Sequence, residues 1–401
     1  SRLLLINEAL KRAKKLLMYR VDKGGVKATL DLTADVPLIA HAVHPGTRGN
    51  SIAVQVALSP KADGTYIVST VVDGITKFEQ TGITEANQVE DNIWVTFEKP
   101  QPPGSDAITS AAGGMLTGGT NGSSTVAEYG AFLTALETED FNAFGLPKDD
   151  GPTKTLFAEA ARRYTDELGK LVQLVVCDYP TTGNERITSL KNGVVLEDGT
   201  VVDMAQAVAW YTGASASAYP GDDYFTASSL TYARYDGAIA PDKKLPNDEI
   251  EDLLNAGHVM FSAQKDRFGQ EVAVVEQDRN TLTRYTEDLP PVWAKNAVVR
   301  NIYYLVSSIS KMWHLYYIGK VRNNQSGRDL LKVEIGKLMD HLVATGAFED
   351  FDIREDLIVE KGESSEAVVV QLAVRPVDAM EKMYLTVVVD LTTRTSDVTL
   401  Y

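Results

Sequence analysis

Apolar positions recur along this chain with two different periods, and the switches between them outline its organisation. Leu3, Ile6, Leu10, Ala13 and Leu17 fall at helical spacing, and Leu16–Val21 then reads as a strand, so the chain opens on half of an α/β unit. From about residue 26 the pattern shortens to strict alternation. Ile52, Val54, Val56 and Leu58 alternate with Ala53, Gln55 and Ala57, the signature of a strand with one buried face. Similar segments lie near 26–33, 37–43, 65–72, 75–79 and 93–98, divided by Gly, Pro and Asp turns, and this spacing predicts a small β-sandwich or barrel. Residues 100–122 are dense in proline and glycine and read as a linker or exposed loop.

Helix and strand then alternate. A helix is expected over 124–137, and another after Pro152 with Phe157, Ala161, Tyr164 and Leu168 on one face. Leu171–Asp178 is a near-continuous apolar run, as in strands buried on both faces. Asp198-Gly199 signals a two-residue hairpin, followed by a helix over 203–217 and strands near 257–263 and 271–276. Beyond Pro290-Pro291, Val298, Ile302, Leu305, Ile309, Met312 and Tyr316 form the stripe of a long amphipathic helix. Ser326 and Asp329 look like a capping box for a second helix faced by Leu331, Ile335, Leu338 and Leu342, and Gly346 is placed to end it. Strand-like runs follow at Leu357–Glu360, Ala367–Val374 and Tyr384–Leu391. The predicted fold is a multidomain α/β and α+β protein. Residues 1–21 supply a helix and strand of a central α/β domain, 22–100 an inserted β-rich domain, 101–290 the rest of the central domain, and 291–401 an α+β domain with two long helices, a sheet and a terminal arm.

Composition narrows the function classes. With 401 residues, 44% hydrophobic and 23% charged, the chain resembles ordinary globular proteins, and no apolar run approaches the roughly 18 residues of a membrane span. Its single cysteine, Cys177, excludes an internal disulfide and a cysteine-based zinc site, which suits a reducing compartment. The net charge of −16 opposes binding to phosphate backbones. One basic cluster exists: residues 1–20 hold six Lys and Arg against Glu8, a net of +5. No aromatic residue interleaves it before Tyr19, so it reads as a solvated helix face and not a nucleic-acid site. Ser1 opens inside an apparent helix with no cap and no signal peptide, and we expect a fragment whose amino-terminal part has been removed.

The candidate chemical motifs fail one by one. Gly113–Gly122 lacks the lysine that a phosphate loop places beside its last glycine, and no GxGxxG opens a helix after a strand. Gly213-Ala214-Ser215-Ala216-Ser217 lacks the second glycine of a nucleophile elbow. His41 and His44 fall on opposite faces of a strand, and His258, His314 and His341 lack a metal-ligand spacing. Asp149-Asp150 and Asp222-Asp223 sit in turns, where carboxylates are solvated, and Cys177 ends a buried strand. No catalytic, cofactor-binding or metal-binding residue is assigned. The remaining signal is the β-prone tail after residue 384. It reads either as a closing hairpin on its own sheet or as a strand donated to a neighbour, because an unpaired edge invites association.

Four segments carry a resemblance to contractile phage tail sheath proteins of the Gram-positive prophage or phage-like particle type. They are Pro45-Gly46-Thr47-Arg48-Gly49-Asn50, Leu116–Gly122, Tyr317-Ile318-Gly319-Lys320-Val321 with Gly327-Arg328, and Val374–Tyr384. The resemblance implies a structural subunit that polymerises as stacked hexameric rings around a tail tube and contracts to drive the tube through the host envelope. It also implies other sheath subunits, the tube, baseplate and tail terminator proteins as partners, with no cofactor, nucleic acid or membrane insertion. The location it implies is a phage or phage-like tail assembled in the host bacterial cytoplasm. In that family terminal arms add strands to a neighbour. The expected interaction residues here are Leu385, Val387, Val389 and Leu391, facing the core, and Val398, Leu400 and Tyr401 in a mobile arm over 392–401. Without the amino-terminal arm of that family, the fragment is expected to be monomeric or weakly associated. The acidic surface can keep subunits soluble and oppose basic patches on tube or neighbours. Two alternatives stay open from the residues: an α/β hydrolase-like enzyme with an unmarked site, and a static capsid or tube protein.

Overall fold

The structure, a computed structural model, describes residues 3–61, 63–99, 106–179, 183–219, 229–381 and 383–387. The chain divides into two compact units, Met18–Thr138 and Ser1–Leu17 with Glu139–Tyr401. The first helix, α1 (Leu4–Leu10), belongs to the larger unit. It is shorter than the expected 3–17, and the Lys11 and Arg12 side chains just past its end take tertiary partners. Lys11 donates to Glu8 and to the Asp236 carbonyl, and the Arg12 guanidinium grips the Asp236 carboxylate. Residues 16–21, expected as a strand, carry none.

The smaller unit holds β1 (Thr29–Asp31), β2 (Ile39–Ala42), β3 (Ile52–Leu58), β4 (Tyr66–Val72), β5 (Ile75–Ile83), β6 (Val95–Glu98), β7 (Ala112–Met115) and helix α2 (Val126–Leu136). They form two antiparallel sheets, β1-β2-β6 and β5-β4-β3-β7, that share one core. Alternation does what it predicts: Tyr66, Val68, Thr70 and Val72 point inward while the residues between them are half-buried. The glycine-rich segment is a correction. It is no linker: β7 pairs with β3, and Thr117, Thr120 and Ser123 bridge to Thr29, Val26 and Lys23. A Cβ on Gly113 would stand 2.9 Å from the Val54 carbonyl oxygen, and one on Gly119 2.6 Å from that of Gly46. These glycines let backbones touch.

In the larger unit β8 (Ala143–Gly145), α3 (Gly151–Asp166), β9 (Gln173–Cys177), β10 (Ile187–Leu190), β11 (Val194–Leu196), β12 (Val201–Val202), α4 (Met204–Ser217), β13 (Ala238–Pro241), α5 (Asn247–Asn255), β14 (His258–Val259), β15 (Phe261–Lys265) and β16 (Glu271–Val275) follow in order. A parallel sheet, β14-β10-β9-β8, is the centre. All five residues of β9 are buried beneath α3 and α4, as its unbroken apolar run requires. The Asp150 and Asp203 side chains cap α3 and α4 by accepting from Thr153 N and Gln206 N. The Asp198-Gly199 turn is one residue longer than expected. Leu196 N donates to Thr200 O, and Gly199 takes φ +79°, which makes a three-residue loop with glycine in the left-handed position.

The carboxy-terminal part comprises α6 (Asn296–Met312), α7 (Gln325–Ala344), β17 (Phe348–Glu349), β18 (Leu357–Lys361), β19 (Val368–Leu372) and β20 (Arg375–Pro376). Two expectations shift here. A wide π-turn, Trp313–Tyr317, ends α6 and advances its buried stripe by one residue, so Tyr317 is buried and Tyr316 is 64% exposed. The cap of α7 is Asn324, accepting from Gly327 N, in place of Ser326. Gly346 ends α7 as expected, at φ +76°, with Gly346 N donating to Val343 O and Ala347 N to Leu342 O. α7 lays Leu331 and Ile335 on the β18–β19 hairpin, and β17 pairs with β20.

Candidate assembly surface

Most of the described residues that raised questions of catalysis engage the protein's own groups. Ser215 donates from within α4 to Gln173 Oε1 at 2.8 Å and is buried. The Cys177 thiol is buried, and burial pushes it up to about 11, so it is no thiolate at neutral pH. His258 shares a hydrogen bond with Ser189 Oγ at 3.0 Å, and burial, with Lys191 nearby, lowers its pKa to about 4. Asp149 pairs with Lys154 and Asp150 caps α3. His41 meets Glu98, and His314 meets the Ser310 carbonyl. Asp222 and Asp223 lie outside the described residues. Among the described residues no group of three His, Cys, Asp or Glu is placed to hold a metal.

A buried polar network escaped the sequence reading. Asp278 and Arg300 are both fully enclosed and pair at 2.5 Å. Asp278 also accepts from Tyr211 OH at 2.6 Å, Leu230 N at 2.8 Å and Asn296 Nδ2 at 2.9 Å. Asn296 Oδ1 in turn accepts from Gln173 Nε2. Burial alone would raise the Asp278 carboxyl, but the Arg300 guanidinium and these donors hold it below the usual carboxylate range. The network joins β9, α4 and α6. Its members carried no warning because a lone Arg on a helix reads as solvated and Asp278 reads as a loop acid.

Two of the resemblance segments interlock within the smaller unit. Asn50 Nδ2 donates to Gly119 O at 2.9 Å, and Gly119 N donates to Asn50 Oδ1 at 2.8 Å. Thr47 N donates to Asn121 Oδ1 at 3.0 Å. Arg48 reaches across to Asp73. The motifs are therefore the two halves of one turn assembly.

The segment Val374–Tyr384 carries the base of the tail. Arg375 pairs with Asp356 and donates to Asp350 O, and Val377 N donates to Ala347 O. Glu381 then enters the body, accepting from Thr231 Oγ1 at 2.8 Å, Gln277 Nε2 at 3.0 Å and the Lys295 ammonium. Burial pushes its carboxyl up, and Lys295, Gln277 and Thr231 together bring it below the ordinary value. Past this anchor the side chains stand free of the body: Met383, Tyr384, Leu385 and Val387 are 71% or more exposed. The expected inward set is thus corrected where it can be seen. Leu385 and Val387 lie in no strand and are exposed, and among the described residues no strand pairs with them. Val389, Leu391, Val398, Leu400 and Tyr401 lie outside the described residues. Beside this anchor, β18 and β19 pair only with each other among the described residues, leaving two open edges, and Ile358, Val369 and Val370 are exposed on them.

Known proteins resemble this chain in sequence and in fold. The family described as phage tail sheath protein central domain matches residues 122–281, and the phage tail sheath C-terminal domain matches 288–390. The phage-like element PBSX protein XkdK of Bacillus subtilis is 32% identical over 97% of this chain and 84% of its own length. The crystal structure of a sheath tail protein from Desulfitobacterium hafniense, 37% identical, superposes with a TM-score of 0.84 over 96% of this chain and 86% of that one. The contracted helical sheath of the anti-feeding prophage shares the fold at 15% identity, with a TM-score of 0.52 over 68% of this chain and 79% of that one. The chain belongs to the phage tail sheath family.

Proposed function

We propose that the subunit polymerises as stacked hexameric rings around a tail tube, linked to its neighbours by strand addition, and that contraction of this lattice drives the tube through the host envelope. The observation that carries this reading is the pairing of open-edged strands with an anchored, apolar tail. Among the described residues β18 and β19 pair only with each other, and Leu385 and Val387 beyond Glu381 are exposed. Strand addition satisfies both: main-chain hydrogen bonds give affinity, and alternating side chains set the register. The residues that complete the link are Leu385, Val387, Val389 and Leu391, with Val398, Leu400 and Tyr401 in the arm. The role is structural and not catalytic, which the engagement of Ser215, Cys177 and His258 in the protein's own hydrogen bonds and core supports. Tube, baseplate and tail terminator proteins are the partners, and assembly takes place in the host bacterial cytoplasm.

Deleting residues 392–401 from the full-length gene product tests the link. Thermal stability is expected to stay nearly unchanged while sedimentable polymer and striated hollow cylinders in electron micrographs are lost. Cylinders that persist without the arm would overturn strand addition, and loss of folding would show that the arm belongs to its own domain.

A further inference from the structure

The elbow between α6 and α7 departs from the charge pattern of the rest of the chain. Acids outnumber bases 55 to 39 overall, yet residues 311–328 contain four cations and no carboxylate. Several cations elsewhere sit against acids, among them Arg12 with Asp236, Arg48 with Asp73, Arg186 with Asp166, Lys191 with Asp178 and Arg375 with Asp356. In the elbow, Lys311, Lys320, Arg322 and Arg328 have no carboxylate partner among the described residues. Lys320 donates to the Leu315 carbonyl, and Arg328 to the side-chain oxygens of Asn323 and Gln325. Apolar side chains stand among them, with Leu315 57%, Tyr316 64% and Ile318 49% exposed. The π-turn causes this, because it turns Tyr317 inward and leaves its neighbours outside. A cleft lined by Trp313, Tyr317, Arg322, Arg328 and Val368 opens beside them. Exposed aromatic and aliphatic groups interspersed along the chain with cations that lack a carboxylate are the composition of an interface, not of a solvated face.

The complement is on the same chain. α5 places Asp248, Glu249, Glu251 and Asp252 within five consecutive residues, all exposed and without a cation partner among the described residues. No Lys or Arg occurs between residues 245 and 264. We propose that the elbow of one subunit docks on α5 of a second copy, four cations against four carboxylates, with Leu315, Tyr316 and Ile318 buried at the contact. Such a contact is heterologous, since one patch meets a different patch. It repeats into rings or helices, whereas a patch that meets itself closes as a dimer. Two elbows repel each other, so the charge pattern also excludes the wrong pairing. The inference rests on the sheath reading and adds to it a second, side-chain interface besides strand addition.

Charge exchange in the full-length gene product tests it. Lys320→Glu with Arg322→Glu reverses the elbow, and Glu249→Lys with Asp252→Lys reverses α5. All four sites are on the surface, and an unchanged unfolding transition checks that each variant folds. Each reversal alone is expected to abolish sedimentable polymer, and the chain carrying both is expected to regain it. Wild-type polymer is also expected to dissociate as salt rises, as screening of the contact requires. Three results would overturn the proposal: an elbow-reversed chain that polymerises like wild type, failure of the double reversal to restore polymer, or an elbow-reversed chain that assembles alone but no longer surrounds the tube, which would make the tube its partner. A wild-type chain that forms no polymer at all would remove the sheath reading itself, a separate outcome.

Discussion

Single residues hold this molecule together where polar groups meet inside it. The Asp278–Arg300 pair has no access to water, so removing one member leaves a buried charge without its counterion. We expect Arg300→Ala to destabilise the larger unit by about 3–5 kcal/mol, measured by urea denaturation. Replacing both partners by apolar residues should cost much less, and a double mutant as unstable as the single one would show that Arg300 acts through its bulk alone. His258 makes a pH prediction. Its pKa falls from about 6.5 unfolded to about 4 folded, because burial and Lys191 disfavour the charged ring, with Arg279 adding to this and Asp178 opposing it. Between these values the unfolded chain binds more protons, so stability is full above pH 6.5 and declines on acidification towards pH 4. The slope approaches about 1.4 kcal/mol per pH unit for one such group. A thermal-unfolding series should show this loss, and His258→Gln should flatten it. Neither role was legible beforehand. Asp278, Arg300 and His258 sit in contexts where the sequence pattern reads as surface or ordinary core, and their burial comes from elements far away in the chain.

At the level of elements, local physics was readable and close packing was not. The alternation over 52–56 and 66–72, the unbroken apolar run of β9, and the helix terminator Gly346 all depend on residues within a few positions of each other and appear where expected, while Leu58 at the end of β3 is exposed. The π-turn at Trp313–Tyr317 and the glycine ladder 113–122 depend on what lies opposite, and the pattern misread both. α1 shows the same division. Its periodicity announced a helix, but its seat is set by Gly213 of α4, where a Cβ would collide with the Ala9 carbonyl, and by Glu8, buried beneath Tyr235 OH at 2.7 Å. We expect Gly213→Ala to lift α1 from α4 and to cost a few kcal/mol, about as much as other overpacking substitutions. Faster proteolysis between residues 11 and 20, with the β-rich unit intact, would report the detachment. Unchanged cleavage would mean that the helix tolerates the shift.

On the scale of the whole molecule, the tail base explains why loss of the arm should cost assembly and not stability. Glu381 holds the segment with Thr231, Gln277 and Lys295, and Met383, Tyr384, Leu385 and Val387 beyond it contribute little buried surface to their own body. A segment whose side chains are outside the core can be exchanged between molecules without unfolding either. The sequence alone settled the two alternating periods, the longer helices and the buried strand of the central sheet, the acidic balance and, through four short motifs, the sheath family. These follow from which face of each element is apolar and from turn chemistry, and both act over a few residues. Only the tertiary structure decided that Asp278 and Arg300 share a dry interior, that the glycine segment is a packed strand rather than a linker, that Leu385 and Val387 face outward, and that the cations of the α6–α7 elbow meet no carboxylate among the described residues. Each of these depends on which distant backbone or side chain comes to lie opposite, and local periodicity carries no record of that.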